Sequence, residues 1–161
     1  MKNLLRINQK IKSFDKKIIV TGDKSLSIRW ILLASQALGR SKAYNLLMSE
    51  DVLAAIESIK KLGIKVKIYK NYCEVFGNGI NGFKYKKNLT INAKNSGTLG
   101  RLILGLLIKS PQKIKVIGDK SLSKRDFSRI TVPLKKFGAN FFYHKIKNKL
   151  PISILGSKSL K

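Results

Sequence analysis

Two stretches of the chain, residues 28–38 and 99–108, are apolar on nearly every side, whereas the strand-like segments alternate apolar residues with lysine, as in Ile64-Lys65-Val66-Lys67-Ile68. A helix that is apolar all round belongs inside a fold, and a strand with a polar alternate face leaves that face in water. The chain is therefore expected to bury its helices and carry its sheets outside, an unusual layering.

Periodicity orders the remaining elements. A β-branched run at 17–20 leads to a helix over 26–38 and a short strand near 43–46. A helix follows from about 50 to 62, with Ser49 as N-cap and Glu50 and Asp51 in the first turn, where the helix dipole favours acids. The runs 64–69 and 72–76 flank Lys70-Asn71 and predict a hairpin. After the turns at Gly77-Asn78-Gly79 and Asn81-Gly82 the order starts again: strand 89–92, helix 97–108, strand 113–117, helix near 127–137, and strands near 140–143 and 151–155. Two copies of a β-α-β-α-β-β unit, residues 17–76 and about 88–155, are expected in an α/β (α+β) chain.

The hexapeptide Gly-Asp-Lys-Ser-Leu-Ser occurs at residues 22–27 and again at 118–123, followed by Arg29 and Arg125. Each copy is predicted to lie where a strand turns into a helix. A third junction runs from the strand 89–92 through Asn95-Ser96-Gly97-Thr98 into the helix bearing Arg101. First-turn N–H groups lack intrahelical acceptors and the macrodipole adds positive charge there, so such junctions bind anions. Three cationic helix starts imply a ligand with more than one acidic group. Arginines on buried helices also need acidic partners; Asp23 and Asp126 are the local candidates, and bidentate contact with a bound phosphate or carboxylate is the alternative.

Composition bounds the rest. With 161 residues, 43% of them hydrophobic, the chain can build one core of its own. The single cysteine, Cys73, rules out an internal disulfide and a cysteine-built metal cluster; it lies in a strand-like run and reads as buried filler. No signal peptide and no apolar run long enough for a membrane span are visible, so a cytoplasmic protein is expected. The net charge of +26 would ordinarily suggest nucleic acid, but the lysines are scattered, with no basic run of five and no nucleic-acid motif. No specific nucleic-acid partner is predicted, while nonspecific polyanion binding at low salt is.

Four ordered motifs, Gly22-Asp23-Lys24-Ser25-Leu26-Ser27-Ile28-Arg29, Ser49-Glu50-Asp51-Val52, Asn95-Ser96-Gly97-Thr98-Leu99-Gly100-Arg101 and Gly118-Asp119-Lys120-Ser121-Leu122-Ser123-Lys124-Arg125, resemble those of the 5-enolpyruvylshikimate-3-phosphate synthases. The resemblance covers residue 15 onward. It implies transfer of the enolpyruvyl group of phosphoenolpyruvate to the 5-hydroxyl of shikimate 3-phosphate, in the shikimate pathway to chorismate and the aromatic amino acids, with no metal or organic cofactor. By matching, Lys24 reaches both substrates, Ser25 and Arg29 hold shikimate 3-phosphate, and Asn95, Gly97, Arg101 and Arg125 grip phosphoenolpyruvate. The implied fold has two domains of such units with helices inside and substrates between them. Residues 1–161 would be part of one domain; the second domain, which carries the family's catalytic carboxylate, would be the missing partner, and the chain alone nearly inactive. No acid here matches that carboxylate. Two positions depart from the pattern: Ile28 replaces a frequently polar residue, and Asp126 follows Arg125 in place of proline, where it would pair with Arg125. The sibling UDP-N-acetylglucosamine enolpyruvyl transferases share the implied fold but pair lysine with asparagine where Lys24-Ser25 stands. A basic module binding phosphometabolites or nucleic acid is the competing class.

Overall fold

The computed structural model describes residues 17–159 together with residues 6, 8, 13 and 15. The first unit runs α1 (Lys24–Gln36), β1 (Leu38–Tyr44), α2 (Glu50–Lys61), β2 (Lys65–Ile68) and β3 (Tyr72–Asn78). The second runs β4 (Thr90–Asn92), α3 (Gly97–Leu106), β5 (Ile114–Ile117), α4 (Ser128–Lys136), β6 (Asn140–Tyr143) and β7 (Ile152–Leu155).

The sheets show the duplication better than the residues do. One has the order β1-β3-β2 and the other β4-β5-β7-β6, so the last strand of each unit inserts between the two before it. All pairings are antiparallel except β4 with β5. Subtracting β4 makes the two sheets identical in order and direction. The fold is α/β, with α1, α2 and α3 packed together and one contiguous core of Ile28, Ile31, Ile59, Val75, Ile103, Val116, Phe127, Ile154 and their neighbours running through both units.

Four expectations are corrected. Residues 17–20 form no strand: Ile18, Ile19 and Val20 are exposed, because a β-branched run needs a ladder partner and none of the described residues supplies one. The strand expected near 43–46 begins at Leu38; Gly39-Arg40-Ser41-Lys42 carries no apolar alternation, and seven residues of register with β3 impose the extended form. The second hexapeptide does not open an α-helix. It forms one 3₁₀ turn, Leu122–Lys124, after which Arg125 is extended and α4 starts three residues later. Finally, the apolar helices are not covered on every side. α1 buries Ile28, Ile31 and Leu32 but leaves Leu26, Arg29 and Leu33 on an exposed stripe, and Leu102 of α3 is also at the surface. Leu33 and Leu106 belong to an apolar groove of about 980 Å³ that also includes Ile80, Phe83 and Tyr85.

Candidate anion site

The repeated hexapeptide encodes the same local turn twice. Asp23 Oδ1 accepts from Leu26 N at 2.7 Å, and Asp119 Oδ1 accepts from Leu122 N at the same distance, each an aspartate capping the third residue on. The residues just beyond each turn set its length. Past Ser27 lie Ile28, Ile31 and Leu32, which the core can bury, and the turn extends into thirteen residues of α1. Past Ser123 lie Lys124-Arg125-Asp126, which it cannot, and the turn stops.

The first turn is braced against the segment between β1 and α2. Ser27 Oγ donates to Asp23 O and accepts from Leu47 N at 3.1 Å. At Gly22 a Cβ would lie 2.0 Å from Asn45 O, a backbone approach that only glycine allows. Lys24, the first residue of α1, is thereby fixed beside the start of α2, where its Nζ meets Asp51 Oδ2 at 2.9 Å.

The start of α3 faces the same spot. Ser96 caps it by accepting from Leu99 N, and Gly97 and Thr98 are its first two residues, whose N–H groups have no acceptor within the helix. Arg101, one turn on, folds back over Gly97, its guanidinium 5.4 Å from the Phe127 ring and its Nη2 donating to Asp126 O at 3.4 Å. Arg125 arrives from the 3₁₀ turn and donates to Asn95 Oδ1 at 3.1 Å. A Cβ on residue 97 would be 3.0 Å from Nη1 of both arginines, so one anion seated there touches both.

The result is an open polar cavity of about 420 Å³ lined by Lys24, Asp51, Asn95, Gly97, Thr98, Arg101 and Arg125. Its charged groups are three cations and one carboxylate. Five of the seven residues singled out in the sequence meet here, from three segments far apart in the chain. Ser25 and Arg29 do not line it; they are one turn apart on α1, adjoining Lys24, with Arg29 exposed.

The expected acidic partners are otherwise engaged. Asp23 caps α1. Asp126 receives the Ser128 hydroxyl, which with the Phe127 and Ser128 backbone N–H groups and Lys149 nearby holds its carboxyl below the ordinary value. It is thus held at the start of α4, and among the described residues no arginine of the cavity forms an ion pair with an acid. Nor are the arginines deeply buried: Arg29 lies on the exposed stripe of α1, Arg125 is exposed beyond the 3₁₀ turn, and Arg101 is half-buried.

Asp51 and Thr98 are the lining residues that sequence reasoning missed. Both stand inside motifs that carry the resemblance, but the sequence marks Asp51 only as an acid in a helix's first turn. Its distance to Lys24, twenty-seven positions away, depends on how α1 and α2 pack.

The α/β chain of repeated units thus brings three cations from separate segments to one cavity. Residues 8–161 match the family model described as EPSP synthase (3-phosphoshikimate 1-carboxyvinyltransferase). The chain belongs to that family. It is 38% identical over 142 residues to the 3-phosphoshikimate 1-carboxyvinyltransferase of Streptococcus mutans serotype c, covering 88% of this chain and 33% of that protein. To the Streptococcus suis protein of the same name it is 35% identical over 157 residues, covering 98% of this chain and 37% of that one. A solved structure of EPSP synthase from Acinetobacter baumannii superposes with a TM-score of 0.83 at 34% identity, over 91% of this chain and 33% of the other. The chain thus spans about a third of the length of the curated relatives it matches. No helix among the described residues is long and apolar enough to cross a membrane.

Proposed function

We propose that this chain supplies one wall of the substrate site for enolpyruvyl transfer from phosphoenolpyruvate to the 5-hydroxyl of shikimate 3-phosphate, with release of phosphate. The observation that carries the reading is the shared cavity of Lys24, Asn95, Gly97, Arg101 and Arg125. Three cations against one carboxylate suit a compact polyanion with two acidic groups, and phosphoenolpyruvate is one: its phosphate and carboxylate can each take a guanidinium while the Gly97 and Thr98 N–H groups complete the seat.

In this reading Arg101 and Arg125 hold phosphoenolpyruvate over Gly97. Ser25 and Arg29, four residues apart on one face of α1, form a second seat for shikimate 3-phosphate, and Lys24 stands between the two. Fixed cations let two polyanions approach despite their repulsion and stabilise charge that grows on the departing phosphate. Asp51 orients the Lys24 ammonium toward the gap. No organic or metal cofactor is invoked. Residues 1–161 are proposed as part of one enolpyruvyl transferase domain in a cytoplasmic enzyme of aromatic amino acid biosynthesis, with the catalytic carboxylate supplied by the portion that the longer relatives possess in addition.

The test is complementation. The chain is mixed with a polypeptide covering the remainder of the Streptococcus mutans relative, and phosphate release is followed with both substrates present. Turnover that depends on both polypeptides and is lost on Lys24→Ala supports the proposal. A stable, folded complex that releases no phosphate refutes it.

A further inference from the structure

The outer face of the β1-β3-β2 sheet has a composition the proposed reaction does not use. Register places Arg40, Lys42 and Tyr44 of β1 opposite Phe76, Glu74 and Tyr72 of β3; Lys65 and Lys67 of β2 lie on the far side, with Tyr69 just beyond the strand. The inward residues between them, Cys73 and Val75, are buried in the core. The Tyr69 and Tyr72 rings stack with centroids 4.3 Å apart and planes 19° from parallel, and Tyr44 continues the row 5.8 Å from Tyr72. Lys42 Nζ sits 3.8 Å from the Tyr72 ring centre, and Lys65 and Lys67 flank Phe76. Tyr44 is 65% exposed and Tyr69 41%.

Cross-strand aromatic and cation–π pairs stabilise a sheet by themselves. The duplicated unit shows that this fold does not need a row of rings: on the matching face of the other sheet, one row across the four strands reads Thr90, Lys115, Ser153 and Phe142, with a single ring and one cation–π contact, Lys113 Nζ 3.8 Å from the Phe142 ring centre. The first face also has only one carboxylate, Glu74, which is buried and 3.6 Å from Arg40; Lys42, Lys65 and Lys67 make no ion pair among the described residues. It combines exposed rings with uncompensated cations, on a chain of net charge +26.

We propose that this face binds single-stranded polynucleotide without base preference, its bases stacking on Tyr44 and Tyr69 and its phosphates running along Lys42, Lys65 and Lys67. The ligand is argued from charge and shape together. A polyanion satisfies the lysines, and only one with flat, unpaired rings also covers the tyrosines. The row of rings crosses three strands, about 10 Å, and a flexible single strand with unstacked bases can follow it. In a duplex the base faces are stacked away, and the tyrosines gain nothing.

The experiment uses the 161-residue chain and fluorescein-labelled dodecamers of oligo(dT) and oligo(U), with a duplex of equal length and inorganic polyphosphate as comparisons, read by anisotropy over a salt series. Both single strands should bind more tightly than the duplex and resist displacement by excess phosphoenolpyruvate. Tyr44→Ala and Tyr69→Ala should each weaken single-strand binding about tenfold and leave polyphosphate binding unchanged. Lys67→Gln should lower the salt slope by about 0.7. Tyr44 is the more exposed ring, so Tyr44→Ala carries the test if Tyr69→Ala melts early. Equal binding of duplex and single strand with no effect of Tyr44→Ala would leave only diffuse charge and overturn the proposal. Displacement by phosphoenolpyruvate would move the ligand to the anion cavity and overturn it equally. So would Tyr44-dependent capture on phosphatidylserine vesicles without Tyr44-dependent oligonucleotide binding, which would make the face a membrane contact.

Discussion

Adding one methyl group at Gly97 separates folding from anion binding. Gly97 is the first residue of α3, and nothing but the two guanidiniums and, at 3.9 Å, Leu122 Cδ1 approaches the position a Cβ would take. The contacts at 3.0 Å are tighter than the ordinary 3.4–4 Å, but the atoms met are the far ends of flexible side chains. Folding should therefore tolerate Gly97→Ala, and the alanine should gain about 0.5 kcal/mol from its lower backbone entropy cost in a helix. For a chain of this size that raises Tm by about 1–2 °C. Binding should respond in the opposite direction. The methyl lifts an anion off the helix start and spreads Arg101 from Arg125, which breaks about one charge-assisted hydrogen bond. At about 1.5–3 kcal/mol, that is roughly a ten- to hundredfold loss of phosphoenolpyruvate affinity. Calorimetric titration with phosphoenolpyruvate, paired with a thermal melt, reads both effects, and shikimate 3-phosphate titrated separately should bind the variant like the wild type. Unchanged phosphoenolpyruvate affinity would refute a seat on Gly97. A Tm several degrees lower would mean that the space is needed for folding.

Neighbouring residues give further outcomes. Asp51→Asn removes the one carboxylate of the cavity, and because the Lys24 pair is half in water its loss should cost under about 1 kcal/mol of stability; inorganic phosphate should bind several-fold more tightly, measured by calorimetry. Phe127 is fully buried, lies against Gly100 and supports Arg101, so Phe127→Ala should cost about 3–5 kcal/mol in urea unfolding and weaken anion binding in whatever fraction stays folded. Asp126 has its folded-state pKa lowered, first by the Ser128 hydroxyl, so its contribution is present above the ordinary 3.8 and disappears as pH falls through the folded value; wild type and Asp126→Asn should differ in Tm at neutral pH and converge in strong acid. Burial raises the Cys73 thiol pKa, so a maleimide should label it only after denaturant is added, and labelling at the native rate of a free thiol would contradict its place in β3.

The chain's local chemistry was legible because it depends on neighbours a few residues apart. The 3.6-residue period of Val52, Ile56 and Ile59 and the Lys70-Asn71 hairpin depend on contacts within one or two turns, and both elements formed within a few residues of their expected bounds. The order of those elements, met twice, was enough to expect a duplicated unit. Resemblance in four motifs then pointed to the family, and to five residues that line one cavity.

Tertiary structure decided what spacing cannot encode. Residues 17–20 have the composition of a strand and form none, because a ladder requires a second strand in reach; β1 has little of that composition and is extended because β3 lies beside it. The two hexapeptides are identical, yet one becomes a thirteen-residue helix and the other a single turn, since only the first is continued by side chains that the core can bury. Asp51 became part of the cavity through the packing of α1 on α2, and the tyrosine row became a surface through the register of three strands. Pairing and packing are long-range contacts, and their free energy belongs to the assembled fold rather than to any one segment of the chain.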